Sequence, residues 1–341
     1  MKHSKKILFL IKERIHDSVY GVTSGLFNSA QFVVNFLKGY GVDVKLVSII
    51  DSNSIDREVT KFNPDLVVLE ALWATPQKLQ ELIYLKRHEK RRWIIRIHSK
   101  APFLANDGPA TDWIRDYTNL NTSKVFIAPN TLELTKQFQS CFPKGRFIHL
   151  PNLYNLGNVE SEYSGESKSD VHVGCFGAIR PMKNQYLQAM AAIDFAKRHN
   201  LKLHFHINAT RTEQKGESSL KNIRGLFKDS NNELVEHSWM HHKDFLKEIS
   251  KMDIGSQVSF SESFNIVSAD FVQMGVPIVV CDDIEWMPKI LMVSPTAWKA
   301  ISLRMSFAYL FRSPLAWLQT KYLEWYLWKS EWVWINKFLS L

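Results

Sequence analysis

The chain has 341 residues, of which 45% are hydrophobic and 23% charged, and its formal net charge is +9 at pH 7. This composition excludes a disordered chain, and the length predicts about two domains of the usual size. The positive charge predicts an anionic partner, which can be nucleic acid, a phospholipid surface or a phosphorylated small molecule. The three cysteines, Cys141, Cys175 and Cys281, are not spaced as metal ligands. We expect them to be reduced and to serve only in packing.

The start of the chain has no long apolar segment. In KHSKKILFLIKE the apolar run extends only from Ile7 to Ile11, whereas a signal peptide needs a longer run and a membrane span needs about 20 residues. We therefore expect a cytoplasmic location.

Apolar runs of strand length alternate with amphipathic segments through the first half of the chain. KILFLI is followed by the turn-rich YGVTSG and then by LFNSAQFVVNFLKGYG, in which Phe32, Phe36 and Leu37 recur at helical spacing. Further strands are predicted in VDVKLVSI, PDLVVLEAL, RWIIRIHS, KVFIAPN and RFIHLPN. Such alternation predicts βαβ units around a parallel sheet, here over residues 1–154.

A polar stretch over residues 155–170 interrupts this alternation and predicts a linker. The alternation resumes over residues 171–295, with strands predicted in VHVGCFGAI, KLHFHINA, NELVEHSW, DIGSQVSF and VPIVVCDD. We therefore expect a second doubly wound domain, and a cleft between the two domains.

The segment 296–341 differs in composition, because it carries six of the eleven tryptophans. Its aromatic residues recur at helical spacing and Pro314 interrupts the pattern, which predicts C-terminal helices. Three roles fit these helices: packing across the domains, peripheral contact with a membrane surface through Trp interspersed with Lys and Arg, or contact with a partner protein.

Two carboxylates flank a small apolar run in SFSESFNIVSADFVQMGVPIVV, residues 259–280. If the run from about Ile266 to Met274 is a helix, the eight residues between Glu262 and Asp270 are slightly more than two turns, so both acids are predicted to lie on one face. This face should contact a polar ligand.

These residues resemble the C-terminal domain of retaining, nucleotide-sugar-dependent glycosyltransferases of the GT-B fold, whose motif is Glu, seven residues, then Glu, followed by G-x-P-V-V. The resemblance implies an α/β fold of two Rossmann-like, doubly wound parallel-sheet domains facing a cleft, with additional C-terminal helices. It implies that Glu262 contacts the donor sugar and Asp270 the nucleotide ribose. Two departures are that Asp270 replaces a Glu, and that Ser263 and Asn265 replace glycines.

The segment GCFGAIRPMKNQ resembles the family's G-R-L loop, in which an Arg and a Lys neutralise the donor diphosphate. Lys183 follows Gly177 by six residues, as the family requires, whereas Ala178 occupies the usual Arg position and Arg180 supplies a charge two residues later. The competing interpretation is an exposed loop with two cations.

Further matches to the family extend the candidate site. The donor-binding candidates are Gly177, Asn208, Thr210, Arg211, Phe264, Asn265, Ile266 and Asp270. The acceptor-binding candidates, around the first strand end and the loop YGVTSG, are Lys12, Arg14, Gly21, Ser24 and Gly25. The catalytic candidates are Lys183, Arg180 and Glu262, together with His98, which family members often place against the transferred sugar; a purely structural role for His98 fits equally well.

Several other chemistries are not expected. There is no D-x-D motif, which argues against a metal-dependent GT-A transferase, and no G-x-G-x-x-G follows the first strand. His237, His241 and His242 lack companion ligands at suitable spacing, so we expect no metal and no cofactor, only a nucleotide-sugar co-substrate such as a UDP-sugar.

The resemblance therefore implies a metal-independent retaining glycosyltransferase. The segments IRIHSKAPFLAN and FGAIRPMKNQ are similar to members encoded by tailed bacteriophages, in which case the location is the host cytoplasm. With the positive charge, this favours hydroxymethylated pyrimidine bases in double-stranded DNA as acceptors. The alternatives are a lipid-linked or surface polysaccharide as acceptor, and a catalytically weak sugar-nucleotide-binding module.

Overall fold

The computed structural model describes residues 5–13, 25–86, 88–120, 122–157 and 169–341. The chain forms two compact units. The first comprises Met1–Asn155 and Leu327–Leu341, and the second comprises Leu156–Tyr326.

The first unit is built on a five-stranded parallel sheet with strand order β2-β1-β3-β4-β5. Its strands are β1 (Lys6–Lys12), β2 (Asp43–Ile49), β3 (Leu66–Glu70), β4 (Arg92–Ile97) and β5 (Val125–Pro129). Its helices are α1 (Gly25–Gly39), α2 (Ser54–Phe62), α3 (Pro76–Gln80), α4 (Ala101–Leu104), α5 (Ala110–Asn119) and α6 (Leu132–Cys141).

Both faces of this sheet are covered, which explains why its strands are almost continuously apolar. Leu8 and Leu10 of β1 belong to the core on one face, whereas Ile7 and Phe9 belong to the core on the other. The whole of β3 is buried, including its terminal Glu70.

RFIHLPN, predicted as a strand, forms no regular strand. It pairs with β5 through a bridge between Phe147 and Ile127 and a few backbone hydrogen bonds around it. The last hydrogen bond along β5 runs from the Leu150 N–H to the Pro129 carbonyl. Proline has no N–H and cannot donate a backbone hydrogen bond. Pro129 in β5 and Pro151, which follows Leu150, therefore end the pairing.

The C-terminal segment supplies two aromatic residues to the core of the first unit. Trp334 and Phe338 are fully buried and lie 6.4 and 6.3 Å, between ring centroids, from Phe9. The Trp334 indole N–H donates to the Pro151 carbonyl at 2.8 Å. Core packing is therefore observed for these two residues of the tail.

The second unit contains a six-stranded parallel sheet with strand order β11-β10-β9-β6-β7-β8. Its strands are β6 (Asp170–Gly174), β7 (Lys202–Asn208), β8 (Glu233–His237), β9 (Ile254–Gln257), β10 (Ile278–Cys281) and β11 (Met292–Val293). Its helices are α7 (Gln185–Arg198), α8 (Gly216–Phe227), α9 (His242–Ser250), α10 (Ile266–Gln273) and α11 (Trp298–Leu310), followed by α12 (Arg312–Val333).

The break between α11 and α12 lies at Phe311, three residues before Pro314. Proline is tolerated in the first turn of a helix, because those N–H groups have no partner within the helix. Pro314 is the third residue of α12 and therefore does not divide it. Over the described ranges, no helix combines the length and apolar character needed to cross a bilayer.

Candidate functional site

The loop after β6 carries the candidate diphosphate-binding residues at the carboxyl edge of the second sheet. Gly177 has a φ of +109°, a conformation that favours glycine, and its N–H donates to the Asn208 side chain at 2.8 Å. Pro181–Lys183 forms a single 3₁₀ turn, and α7 begins at Gln185. Asn208, expected in donor binding, thus holds the end of β7 to the glycine turn.

Lys183 and Glu262 form an ion pair, although 79 residues separate them in the chain. The Lys183 and Glu262 side chains are 13% and 11% exposed. The Phe260 N–H donates to the Met182 carbonyl at 2.9 Å, so the backbones of the two loops are joined directly beside the pair. The structure therefore brings together the two residues that the sequence analysis placed on the diphosphate and on the donor sugar.

Arg180 and Arg211 share one carboxylate. Glu213 Oε2 lies 3.3 Å from Arg180 Nη1, and Glu213 Oε1 lies 2.6 Å from Arg211 Nη2. The Arg211 guanidinium also stacks over the Trp239 ring, 4.5 Å from its centroid. Two cations against one anion leave a net positive charge beside the Gly177 loop, where an anionic ligand is stabilised.

The loop of residues 258–265 leads into α10 through a left-handed residue. Asn265 has a φ of +55°, and its side chain caps the helix by accepting the Ser268 N–H at 2.9 Å. Its amide nitrogen donates to Gln257 at the end of β9. Asn can replace the glycine that the family has at this position, because Asn tolerates the left-handed conformation.

Three buried hydroxyl groups lie in this loop and the first turn of α10. The Oγ atoms of Ser259, Ser261 and Ser268 have no hydrogen-bond partner within the described part of the chain. Buried polar groups are normally satisfied, so unsatisfied hydroxyls next to Glu262 fit a site that a polar ligand completes.

Asp270 lies in the middle of α10, is 2% exposed and accepts a hydrogen bond from His242 Nε2 at 2.7 Å. Burial lowers the pKa of His242, but the hydrogen bond and charge of Asp270 outweigh burial and raise it above its ordinary value. The expectation that Glu262 and Asp270 share one helix face is wrong, because α10 begins at Ile266 and Glu262 lies in the preceding loop.

Two other donor-side candidates have structural contacts. Phe264 is buried against Trp286 and Tyr326, and its carbonyl accepts the Trp286 indole N–H at 2.7 Å. The Thr210 hydroxyl accepts the Trp239 N–H at 2.9 Å. Ile266, the first residue of α10, is half-buried.

In the first unit, a buried polar cluster lies at the carboxyl edge of the five-stranded sheet. Glu70 ends β3 and Arg96 lies near the end of β4; both are 0% exposed, and Arg96 Nη1 donates to Glu70 Oε1 at 2.8 Å. Arg96 Nη2 donates to Asn152, and the guanidinium lies over the Trp334 ring. A fully buried charge requires such pairing.

His98, immediately after β4, belongs to the same cluster. Its Nε2 lies 2.6 Å from Glu70 Oε2, and a further side-chain hydrogen bond joins it to Asn152. Burial and the charge of Arg96 lower the pKa of His98, so the ring is neutral at pH 7. Burial alone would raise the pKa of Glu70, but Arg96 and His98 together lower it.

The acceptor-side candidates are less defined. Lys12 is exposed at the end of β1, and Gly25 is the first residue of α1. Arg14, Gly21 and Ser24 lie outside the described residues.

Glu70, Glu213 and the pairing of His242 with Asp270 were not predicted from the sequence. Glu70 could have been found, because it ends the otherwise apolar strand LVVLE. Carboxylates are rarely buried, so one in such a strand indicates a paired or functional group. His242 had no such signal, because Asp270 lies on another helix. Glu213 follows its partner Arg211 by two residues, but its second partner, Arg180, lies in a distant loop.

No model of a known protein family matches the chain, and no curated protein matches its sequence. Solved structures do match. Sucrose-phosphate synthase from Thermosynechococcus elongatus is 11% identical with a TM-score of 0.72, and the alignment covers 98% of each chain. A UDP-forming α,α-trehalose-phosphate synthase from Burkholderia xenovorans is 10% identical with a TM-score of 0.69, again over 98% of each chain.

A third similar structure is an α-glucosyltransferase in complex with UDP and a 13-mer DNA containing an HMU base. It is 11% identical with a TM-score of 0.68, and the alignment covers 98% of this chain and 100% of that one. These likenesses confirm the fold class predicted from the sequence: the chain has the GT-B fold, with a parallel α/β sheet in each unit and helices at the C-terminus.

Proposed function

We propose that this protein is a retaining glycosyltransferase that uses a nucleotide-diphosphate sugar, a UDP-sugar in the first instance. The observation that carries the proposal is the Lys183–Glu262 ion pair, beside the Arg180–Glu213–Arg211 cluster at the carboxyl edge of the second sheet. Ligands bind at this edge in open α/β sheets.

The chemistry follows from the charges. A bound diphosphate competes with Glu262 for Lys183, which leaves the Glu262 carboxylate to accept hydrogen bonds from sugar hydroxyls. The bond between the anomeric carbon and the β-phosphate oxygen breaks and its electron pair goes to the diphosphate. The acceptor oxygen bonds to the anomeric carbon, and its proton passes to the departing diphosphate. Lys183 and Arg180 stabilise the negative charge that develops on the diphosphate.

The other candidate residues support this step. Asn265 and Ile266 open α10, whose first N–H groups and dipole favour an anion. Asp270 binds the ribose by exchanging its hydrogen bond with His242 for one from a ribose hydroxyl. His98 would contact the transferred sugar, oriented by Glu70.

For the acceptor we propose the hydroxymethyl group of a modified pyrimidine in DNA. The net charge of +9 favours a polyanion. The similar α-glucosyltransferase was solved with UDP and DNA containing an HMU base, which supports testing the same class of acceptor.

A second candidate acceptor is a lipid-linked or surface glycan, favoured by one face of α12. Trp317, Trp325, Trp328 and Trp332 are each more than half exposed, and their spacing places them on one side of the helix. Exposed tryptophans with lysines between them are typical of helices that lie on a membrane surface.

The test is release of free nucleoside diphosphate from a panel of UDP- and GDP-sugars. The acceptors are DNA with 5-hydroxymethyluracil or 5-hydroxymethylcytosine, and matched unmodified DNA. We expect release only with a hydroxymethylated base, and a loss of at least about 100-fold in Lys183→Met and Glu262→Gln. Lys197→Met, at an exposed position of α7, is the matched control.

Each outcome decides between the candidates. Release that needs an undecaprenyl-type lipid-linked glycan instead of DNA would replace the first acceptor with the second. Donor binding without release on any acceptor, unchanged in Glu262→Gln except in affinity, would identify a sugar-nucleotide-binding module.

A further inference from the structure

A histidine cluster crosses three adjacent strands of the second unit, apart from the Lys183–Glu262 pair. His172 lies on β6, His206 on β7 and His237 at the end of β8. His206 Nε2 lies 2.9 Å from His172 Nδ1, and His206 Nδ1 lies 2.9 Å from His237 Nε2. The proposed transfer of a sugar uses none of these side chains.

A carboxylate completes the group at one end. Glu248 of α9 places Oε1 3.9 Å from His237 Nε2, and the ligand atoms of His206, His237 and Glu248 all lie within 4.8 Å of one another. We propose that these three side chains form a zinc site that ties α9 to β7 and β8.

The donor set fits zinc. Two imidazole nitrogens and one carboxylate oxygen, with water in the fourth position, are a common tetrahedral zinc set with bonds of about 2.0 to 2.2 Å. The observed spacings need only small rotations to converge on such an ion. Magnesium and calcium prefer sets made of oxygen alone, which this group does not offer.

Neighbouring residues orient both kinds of ligand. If His206 binds through Nδ1, its Nε2–H donates to His172, which fixes the tautomer that binds metal. Lys251 donates to Oε2 of Glu248 at 2.7 Å, so Oε1 remains on the side of His237.

The surroundings suit a partly buried site with one coordination position left to water. His206 is 5% exposed, and the His237 and Glu248 side chains are 15% and 19% exposed, so the group is largely buried with one edge at the surface. The Phe176 ring packs against both His237 and Phe245 of α9. Because α9 begins at His242, the partner of Asp270, a metal that fixes α9 also fixes this pair.

The test is calorimetric titration of zinc chloride into EDTA-treated, re-dialysed full-length protein. We expect one zinc ion per chain and a higher thermal midpoint with zinc, since a ligand of the folded state stabilises it. Glu248→Gln and His237→Phe should each weaken zinc binding at least tenfold, and His172→Phe, which removes the orienting partner of His206, by about tenfold. Replacement of zinc by cobalt should give the visible absorption of a four-coordinate site.

His241→Ala is the matched control, because His241 is exposed next to the site and makes no side-chain cap of α9. It should bind zinc as the unaltered protein does. Absence of stoichiometric binding by the unaltered protein would overturn the proposal. The proposal would also be overturned if Glu248→Gln and His237→Phe bound zinc as tightly as the unaltered protein. Loss of binding in His241→Ala would have the same meaning, because the ion would then lie elsewhere.

Discussion

His98 Nε2 lies 2.6 Å from one oxygen of Glu70, and the other oxygen of the same carboxylate accepts a hydrogen bond from Arg96. A single buried carboxylate thus orients an imidazole and neutralises a guanidinium. The position of His98 is therefore set by the core of the first sheet, because Glu70 and Arg96 are paired strand residues in register.

Loss of the Glu70 charge should destabilise the first unit. In Glu70→Gln the buried Arg96 keeps only neutral partners, and an unpaired buried charge costs about 3 to 5 kcal/mol. We expect a decrease of this size in the free energy of unfolding, measured by urea titration. Glu70→Gln combined with Arg96→Met should recover part of it; a decrease below about 1 kcal/mol in the single variant would mean that water solvates Arg96.

Alanine should be tolerated at Gly225 but not at Gly216. A Cβ on Gly216 would lie 1.9 Å from the Ile179 carbonyl oxygen, next to the loop that carries Arg180. Gly216→Ala should therefore shift this loop, lowering both the thermal midpoint and the affinity for UDP.

Gly225 lies in the same helix, α8, and an added Cβ would meet no atom within 4 Å. Gly225→Ala should raise stability by about 0.5 to 1 kcal/mol, because alanine loses less backbone entropy in a helix. Equal effects of the two substitutions would show that the contact with Ile179 does not constrain the loop.

The His242–Asp270 pair should make stability depend on pH. The pKa of His242 is raised in the folded protein above its ordinary value of 6.5. The stabilisation is therefore fully present below that ordinary value and is lost as the pH rises through the raised pKa.

We expect Asp270→Asn to cost more near pH 5.5 than near pH 9, measured as the change in free energy of unfolding at each pH. A difference that is the same at both pH values would mean that His242 remains neutral throughout.

Arg180→Gln should weaken binding of UDP by about 10- to 150-fold, because a charged hydrogen bond from a cation to a phosphate contributes about 1.5 to 3 kcal/mol. The measurement is calorimetric titration with UDP at low and high salt. Arg198→Gln on α7 is the control, since Arg198 pairs with Asp194 at an exposed position. Equal losses in both variants would indicate an effect of net charge alone.

The exposed face of α12 should bind anionic vesicles if it serves a membrane surface. Trp317→Ser together with Trp325→Ser removes two side chains that are 63% and 56% exposed, so stability should change little. We expect sedimentation with phosphatidylglycerol vesicles to fall several-fold. Lack of vesicle binding by the unaltered protein would remove the main support for a lipid-linked acceptor.

The sequence by itself determined the sheet class and the loops that carry charge. Continuous apolar strands such as β3 and β10 require cover on both faces, and alternation with helices makes the sheets parallel. Lys183, Arg180 and Glu262 could be chosen because the segments that carry them resemble motifs of GT-B glycosyltransferases and follow predicted strands. The local start of α10 at Ile266 was likewise predictable, since Asn265 caps it.

The tertiary structure alone decided which charged groups meet. The pairs Lys183–Glu262 and His98–Glu70 join residues 79 and 28 positions apart, and side-chain spacing within one element gives no information on such contacts. The same holds for His206 and Glu248, whose ligand atoms are close only because α9 packs beside β7 and β8. Short-range periodicity determines which residues are buried, whereas the partners of a buried charge are set by the packing of distant elements.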